Sequence, residues 1–119
     1  MRNFEKQAAQ GDILITRIGE LPANIVEETK TTANGDFVVA HSETGHHHVI
    51  AAPDVNYFYA ANDDGAKNEF VSYLKVKKDT VLRHLRGFDT HEPINISKGL
   101  YKINRQREYT AEGFRKAAD

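Results

Sequence analysis

The chain has 119 residues, 16 Lys plus Arg against 17 Asp plus Glu, a formal net charge of -1, 39% hydrophobic residues and no cysteine. That length holds one domain, 1–119. The near-neutral balance disfavours a globally basic nucleic-acid binder, and the missing cysteine removes disulfides, thiolate zinc fingers, iron–sulfur clusters and Cys nucleophiles. No apolar run approaches the roughly 20 residues needed to span a bilayer, and the polar start Met1 to Gln7 carries no secretory apolar stretch. No membrane association and a cytoplasmic location are therefore expected.

Phe4 to Gln10 reads as a short helix with Gly11 as its left-handed stop. Asp12 to Ile18 (DILITRI) is β-branched and mostly apolar, a strand. Gly19 to Pro22 is a loop, and Ile25 to Thr32, polar and Thr-rich, reads as an edge strand. Such an edge is also a seam through which a homo-oligomer would close. Asn34-Gly35 predicts a two-residue type I′ hairpin, whose central positions both need positive φ. Phe37 to His41 and Val49 to Ala52 are strands, the second closed by Pro53. Val55 to Ala61, with Tyr57, Phe58 and Tyr59, is another, followed by the turn cluster Asn62 to Gly65.

Phe70 to Lys77 alternates, with Val71, Tyr73, Lys75 and Lys77 on one face and Phe70, Ser72, Leu74 and Val76 on the other. Lys78-Asp79 turns the chain into Thr80 to Leu85. Gly87 to Pro93 is a polar loop, Ile94 to Ile96 a short strand, Ser97 to Gly99 a turn and Leu100 to Asn104 a last strand. Thr110 is a helix N-cap with Glu112 favourable in the first turn and Gly113 weakening it. Short strands broken by turns at intervals of roughly 8 to 12 residues predict an all-β chain: a small β-sandwich or barrel of short antiparallel strands with a short C-terminal helix.

The net charge hides an asymmetry. Up to Leu74, eleven acids face five bases; from Lys75 onward, eleven bases face six acids. Either the two halves pair inside one compact body, or the second half presents a basic patch to an anionic ligand, nucleic acid or acidic protein. Arg105 and Arg107, in the donor-rich run Arg105-Gln106-Arg107-Glu108-Tyr109, are the candidate anion- or partner-binding residues, since guanidinium groups grip phosphate or carboxylate bidentately. Internal ion pairing at an exposed strand end explains the same run.

Chemistry concentrates in His41-Ser42-Glu43-Thr44-Gly45-His46-His47-His48. A hairpin closing at Thr44-Gly45 pairs Glu43 with His46 and His41 with His48. All four then project from one side, with Val38, Ala40, Val49 and Ala51 on the other. A shift of one residue scrambles this assignment. Imidazoles and a carboxylate so grouped are the ligand set of a divalent transition metal: zinc, iron, manganese or nickel. The candidate ligands are His41, Glu43, His46 and His48, completed by His84 or His91; Glu43 is also the candidate catalytic base. A solvated polar turn, or a hydrogen-bonded core histidine at His84, explains the same residues without metal.

His46-x-His48 resembles the His-x-His strand of cupins, without their glycine pattern and following Glu. His41-x-Glu43 with a distant His resembles the two-His-one-carboxylate triad of non-haem iron oxygenases. A zinc deaminase is excluded for want of Cys, and no nucleophile elbow surrounds Ser42.

Three segments resemble a group of small, functionally uncharacterised proteins of bacteria and their phages: Gln10 to Ile15 (QGDILI), Glu43 to His48 (ETGHHH), and Gly99 to Tyr101 (GLY) with Gln106 to Tyr109 (QREY). The resemblance spans most of the chain. It implies a stand-alone cytoplasmic protein and a His or acidic pair near Thr90-His91-Glu92-Pro93, and it supplies no activity or catalytic residues.

Two functions follow as expectations. The first is a small metal-binding β-domain with its site on the His hairpin, extending to metal-dependent hydrolase or oxygenase chemistry. The second is a non-catalytic interaction module that binds an acidic protein or nucleic acid through the basic second half.

Overall fold

The structure is a computed structural model that describes residues 6–10, 13–40, 47–84 and 93–105, the side chains of Gln10 and His84 excepted. Its strands are β1 (Gln7–Gln10), β2 (Ile13–Ile18), β3 (Ile25–Glu28), β4 (Asp36–Ala40), β5 (His48–Ala51), β6 (Val55–Ala61), β7 (Lys67–Val76), β8 (Thr80–His84), β9 (Ile94–Ile96) and β10 (Gly99–Arg105). A single 3-10 turn, Ala52–Asp54, separates β5 from β6. Among the described residues no helix is long and apolar enough to cross a membrane.

The strands form two sheets, one ordered β1-β2-β10-β7-β6-β3 and one ordered β4-β5-β8-β9, with every pairing antiparallel. The architecture is all-β and sandwich-like. Alternation along each strand sends one face inward. The six-stranded sheet contributes Ile13, Ile15, Val55, Tyr57, Leu74, Val76, Tyr101 and Ile103 to the core; the four-stranded sheet contributes Phe37, Val39, Ile50, Leu82, Ile94 and Ile96. Ser72, Leu74 and Val76 point inward together, as the alternation in β7 predicts, while Phe70 on the same predicted face is 41% exposed. Between Tyr59 and Ala60 the β6–β7 register slips, so Phe70 falls where the inward repeat is broken.

Several local readings are corrected. The expected helix over Phe4 to Gln10 is instead a strand at Gln7–Gln10, paired with Ile13–Thr16. Backbone pairing outweighs the weak helical propensity of so short a stretch. Asn34-Gly35 is not a type I′ hairpin, because Gly35 has φ 82° while no described non-glycine residue has positive φ. Thr32 N–H donates to Asp36 O at 2.8 Å and Gly35 N–H donates to Thr32 O at 2.9 Å, the pattern of a three-residue reversal ending in a left-handed glycine. It passes the chain from β3 in one sheet to β4 in the other. Asn62 to Ala66 repeats both bonds around Gly65 (φ 85°), here between the paired strands β6 and β7.

β3 is an edge strand, as expected, but ends at Glu28. The expected C-terminal helix from Thr110 lies outside the described residues.

Candidate functional site

The hairpin register differs from the one its sequence implies. Phe37 pairs with Ile50 and Val38 with Val49, and after a bulge Ala40 pairs with His48. His48 therefore stands across from Ala40 rather than His41. The core-facing residues are Phe37, Val39 and Ile50, not Val38, Val49 and Ala51. The bulge absorbs one residue of β4 and turns both Val39 and Ala40 into buried positions.

His48 is only 4% exposed. It lies two residues before Ile50 and so shares that residue's inward face. On its other side β5 pairs with β8, and His48 stands directly opposite His84, as Ile50 stands opposite Leu82. The ladder thus brings together two of the six candidate ligands, one from each half of the sequence. His41, Glu43, His46 and His91 lie outside the described residues, as does Arg107. Among the described residues no three His, Asp or Glu side chains form a group that could hold a metal ion.

The strand ends around this pair converge. Arg105, last residue of β10, pairs with Ile13, which also pairs with Gln10. Its guanidinium crosses to the other sheet, where Nη1 donates to the carbonyl oxygen of Val39 at the β4 bulge. Gln10, Ile13, Ala40, His48, His84 and Arg105 therefore mark one end of the sandwich, the end at which the chain enters and leaves 41–46 and 85–92.

Beneath this end sits a polar cluster that sequence reasoning missed. The Tyr57 hydroxyl, on a fully buried side chain, donates to Val39 O at 3.3 Å and lies 3.2 Å from the hydroxyl of buried Ser72. Arg105 Nη1 also reaches the Tyr57 hydroxyl at 3.4 Å. The Tyr59 ring packs 5.1 Å from the Tyr57 ring, with the Arg105 guanidinium 5.6 Å and the Lys67 ammonium 5.1 Å from its centroid. Lys67 in turn pairs with Glu28.

Burial pushes the Tyr59 phenol well above its usual range, aided by the neighbouring Tyr57, so it stays neutral. Burial also works to raise the Glu28 carboxyl, but hydrogen bonds from Lys67 and from the Lys30 backbone outweigh it and hold Glu28 below its ordinary value. Arg105 thus has a use inside the fold that its place in a donor-rich run does not reveal. A β-strand phase puts residue 105 on the same face as Tyr101 and Ile103, and that was the available signal.

Other bases of the second half are also paired internally. Arg83 meets the buried Asp36 at 2.7 Å and Lys78 meets Asp54 at 3.4 Å. The two oppositely charged halves of the sequence therefore compensate one another in part across the fold.

Comparison with known proteins places this architecture in a family but not in a function. The model of a family described as "Domain of unknown function (DUF8820)" matches residues 9–106, and the chain belongs to that family. No curated protein and no solved structure matches.

Proposed function

We propose that this member of the DUF8820 family is a small metal-binding β-domain protein whose site is built on His48 and His84. The observation that carries the reading is their direct pairing across β5 and β8, with His48 buried. Directly opposed residues of an antiparallel pair have Cβ atoms about 4.5–5.5 Å apart. That spacing lets two imidazoles meet one ion at the roughly 2.0–2.1 Å of a zinc–nitrogen bond. Further donors come from His41, Glu43 and His46 on the connection between β4 and β5 and from His91 on the connection between β8 and β9, both adjoining the pair in sequence.

The ion is a divalent transition metal: zinc, iron, manganese or nickel, all of which imidazole and carboxylate donors suit. Bound there, it supplies Lewis acidity or an activated water. Glu43 then serves as a ligand or as the base for hydrolase or oxygenase chemistry. A chain without cysteine works unchanged in the reducing cytoplasm.

Metal analysis of tag-free protein tests this. Near-stoichiometric metal is expected, lost in both His48→Ala and His84→Ala while far-UV circular dichroism is retained. Metal-free protein, or metal content indifferent to both substitutions, overturns the reading. In that event the non-catalytic alternative gains weight. It rests on the exposed Lys75, Lys77 and Lys98, and it predicts polyanion binding that falls steeply with salt.

A further inference from the structure

The outward face of the six-stranded sheet carries a pattern independent of the histidines. One continuous row of cross-strand partners runs Thr16, Lys102, Tyr73, Phe58, Glu27, from β2 through β10, β7 and β6 to β3. At its centre two aromatic residues stand side by side, with a base on one flank and an acid on the other. Tyr73 is buried, yet it stands outside the cluster that fills the space between the sheets. Partly exposed Leu14, Ile18, Leu100, Val71 and Ile25 extend the apolar surface on the same face.

Beyond the backbone ladders, the Lys102 side chain makes no ion pair or hydrogen bond among the described residues, and the Glu27 carboxylate only receives the Asn56 amide at 3.5 Å. Three strand spacings, about 14 Å, separate Lys102 from Glu27, so they cannot pair within one copy. The four-stranded sheet differs, because there Arg83 and Asp36 already meet.

We propose that this face is a homodimer interface, in which the outward faces of two copies pack about a two-fold axis running along the strands between β7 and β6. That axis reverses the row. Lys102 of each copy then faces Glu27 of the other, and Tyr73 faces Phe58. In the adjoining row Lys75, opposite Asn56 within one copy, meets the second copy's Asn56. The other in-plane axis, across the strands, sets Lys102 against Lys102 and Glu27 against Glu27, which like-charge repulsion disfavours. A two-fold interface must be self-complementary, and this base–aromatic–aromatic–acid order satisfies that condition.

Two twisted sheets packed face to face align within about 30°, which keeps the rows in register. Four strands at about 4.8 Å spacing and roughly 20 Å of length give a contact of roughly 400 Å² in projection per copy. That is about half the roughly 800 Å² per partner of a standard interface and belongs with weak, transient association, so the dimer is reversible.

Sedimentation velocity of the full chain over a wide concentration series tests the interface, with circular dichroism as the folding control. A monomer–dimer equilibrium is expected. Lys102→Glu or Glu27→Lys alone weakens it roughly tenfold or more, and the double variant restores it. A monomer at every concentration overturns the proposal. So does a dimer indifferent to either single reversal, or one that the double variant fails to restore. If either reversal prevents folding, Lys75→Glu, expected to leave the dimer near wild-type strength, with Asn56→Lys, expected to weaken it, and the pair combined, expected to recover it, gives the same reading on the adjoining row. The metal reading plays no part in any of these outcomes.

Discussion

Two tyrosine–arginine clasps join the sheets, and they differ in how far along the chain the tyrosine hydroxyl reaches. At one end the Tyr101 hydroxyl donates to Ser97 O at 2.7 Å, four residues away, and Arg17 donates to Ser97 Oγ at 2.6 Å while lying 4.9 Å from the Tyr101 ring centroid. At the other end Tyr57 reaches Val39, 18 residues away, and Arg105 reaches the same carbonyl from 66 residues away. In the first clasp the Tyr101 bond secures the turn between β9 and β10 from local chain, and Arg17 joins it from 80 residues away. In the second neither bond is local, and together they tie the β4 bulge to the six-stranded sheet. Closing a longer loop costs more chain entropy, so the Tyr57 bond depends on the assembled core more than the Tyr101 bond does. The Tyr57–Arg105 clasp also sits beside the Ala40–His48 pair, whereas the Tyr101–Arg17 clasp lies at the opposite end of β10.

The sharpest way to break this contrast is at Tyr57. Tyr57→Ala removes a fully buried ring that also packs 5.5 Å from Phe37, and about 3–5 kcal/mol of stability is expected to go with it. Tyr57→Phe isolates the hydroxyl, and urea unfolding should show a loss of about 1–2 kcal/mol. A Phe variant as stable as the parent would mean that Arg105 alone satisfies Val39 O.

Arg105→Met keeps the aliphatic stem but removes the crossing hydrogen bond. It is expected to cost about 1–2 kcal/mol and to move the amide resonances of Ala40 and His48. Tyr101→Phe, at about 1 kcal/mol, should leave those resonances in place. If both variants move them equally, the two clasps are not separable.

The paired reversals offer a milder contrast. Gly35 and Gly65 have φ of 82° and 85°, and a Cβ at either would meet nothing within 4 Å, so replacement by Ala tests backbone conformation alone. About 1 kcal/mol is expected at each. A much larger loss at Gly35, where the reversal links sheets rather than neighbouring strands, would show that the crossing constrains the whole sandwich.

The smallest effect is expected from Glu28→Gln at the rim of the polar cluster. The folded carboxyl titrates below its ordinary value of 4.5. Its contribution is therefore present at neutral pH and is lost as pH falls through the folded-state value. The variant should show a shallower loss of stability on acidification, measured by thermal melts between neutral and acidic pH.

The strand segments from β2 onward were legible because β-branched runs separated by Gly, Asn and Asp clusters leave little choice of element. β6 over Val55–Ala61 and the inward set Ser72, Leu74 and Val76 were read from composition and alternation. The hairpin register was not. A bulge changes the pairing by one residue without any sequence mark, so His48 was paired with His41 rather than Ala40. Asn34-Gly35 misled for a related reason. The dipeptide specifies a reversal, but whether the following strand pairs with its predecessor or joins another sheet depends on competition among distant strands. Of the candidate site, the histidines were visible as residues. The choice of His84 as the neighbour of His48 was not, since 35 residues of chain lie between them.

Sequence alone determined an all-β chain, its strand segments from β2 onward, the places where it reverses and the set of candidate metal-binding side chains. These depend on propensities and periodicities that act over a few residues. Tertiary structure decided which strands became neighbours, that His48 pairs in register with His84, that Arg105 spans the two sheets, and that a base and an acid flank an aromatic pair on one outer face. Each of those depends on pairing between segments distant in the chain, where burial of the common core selects one arrangement from many that local preferences permit.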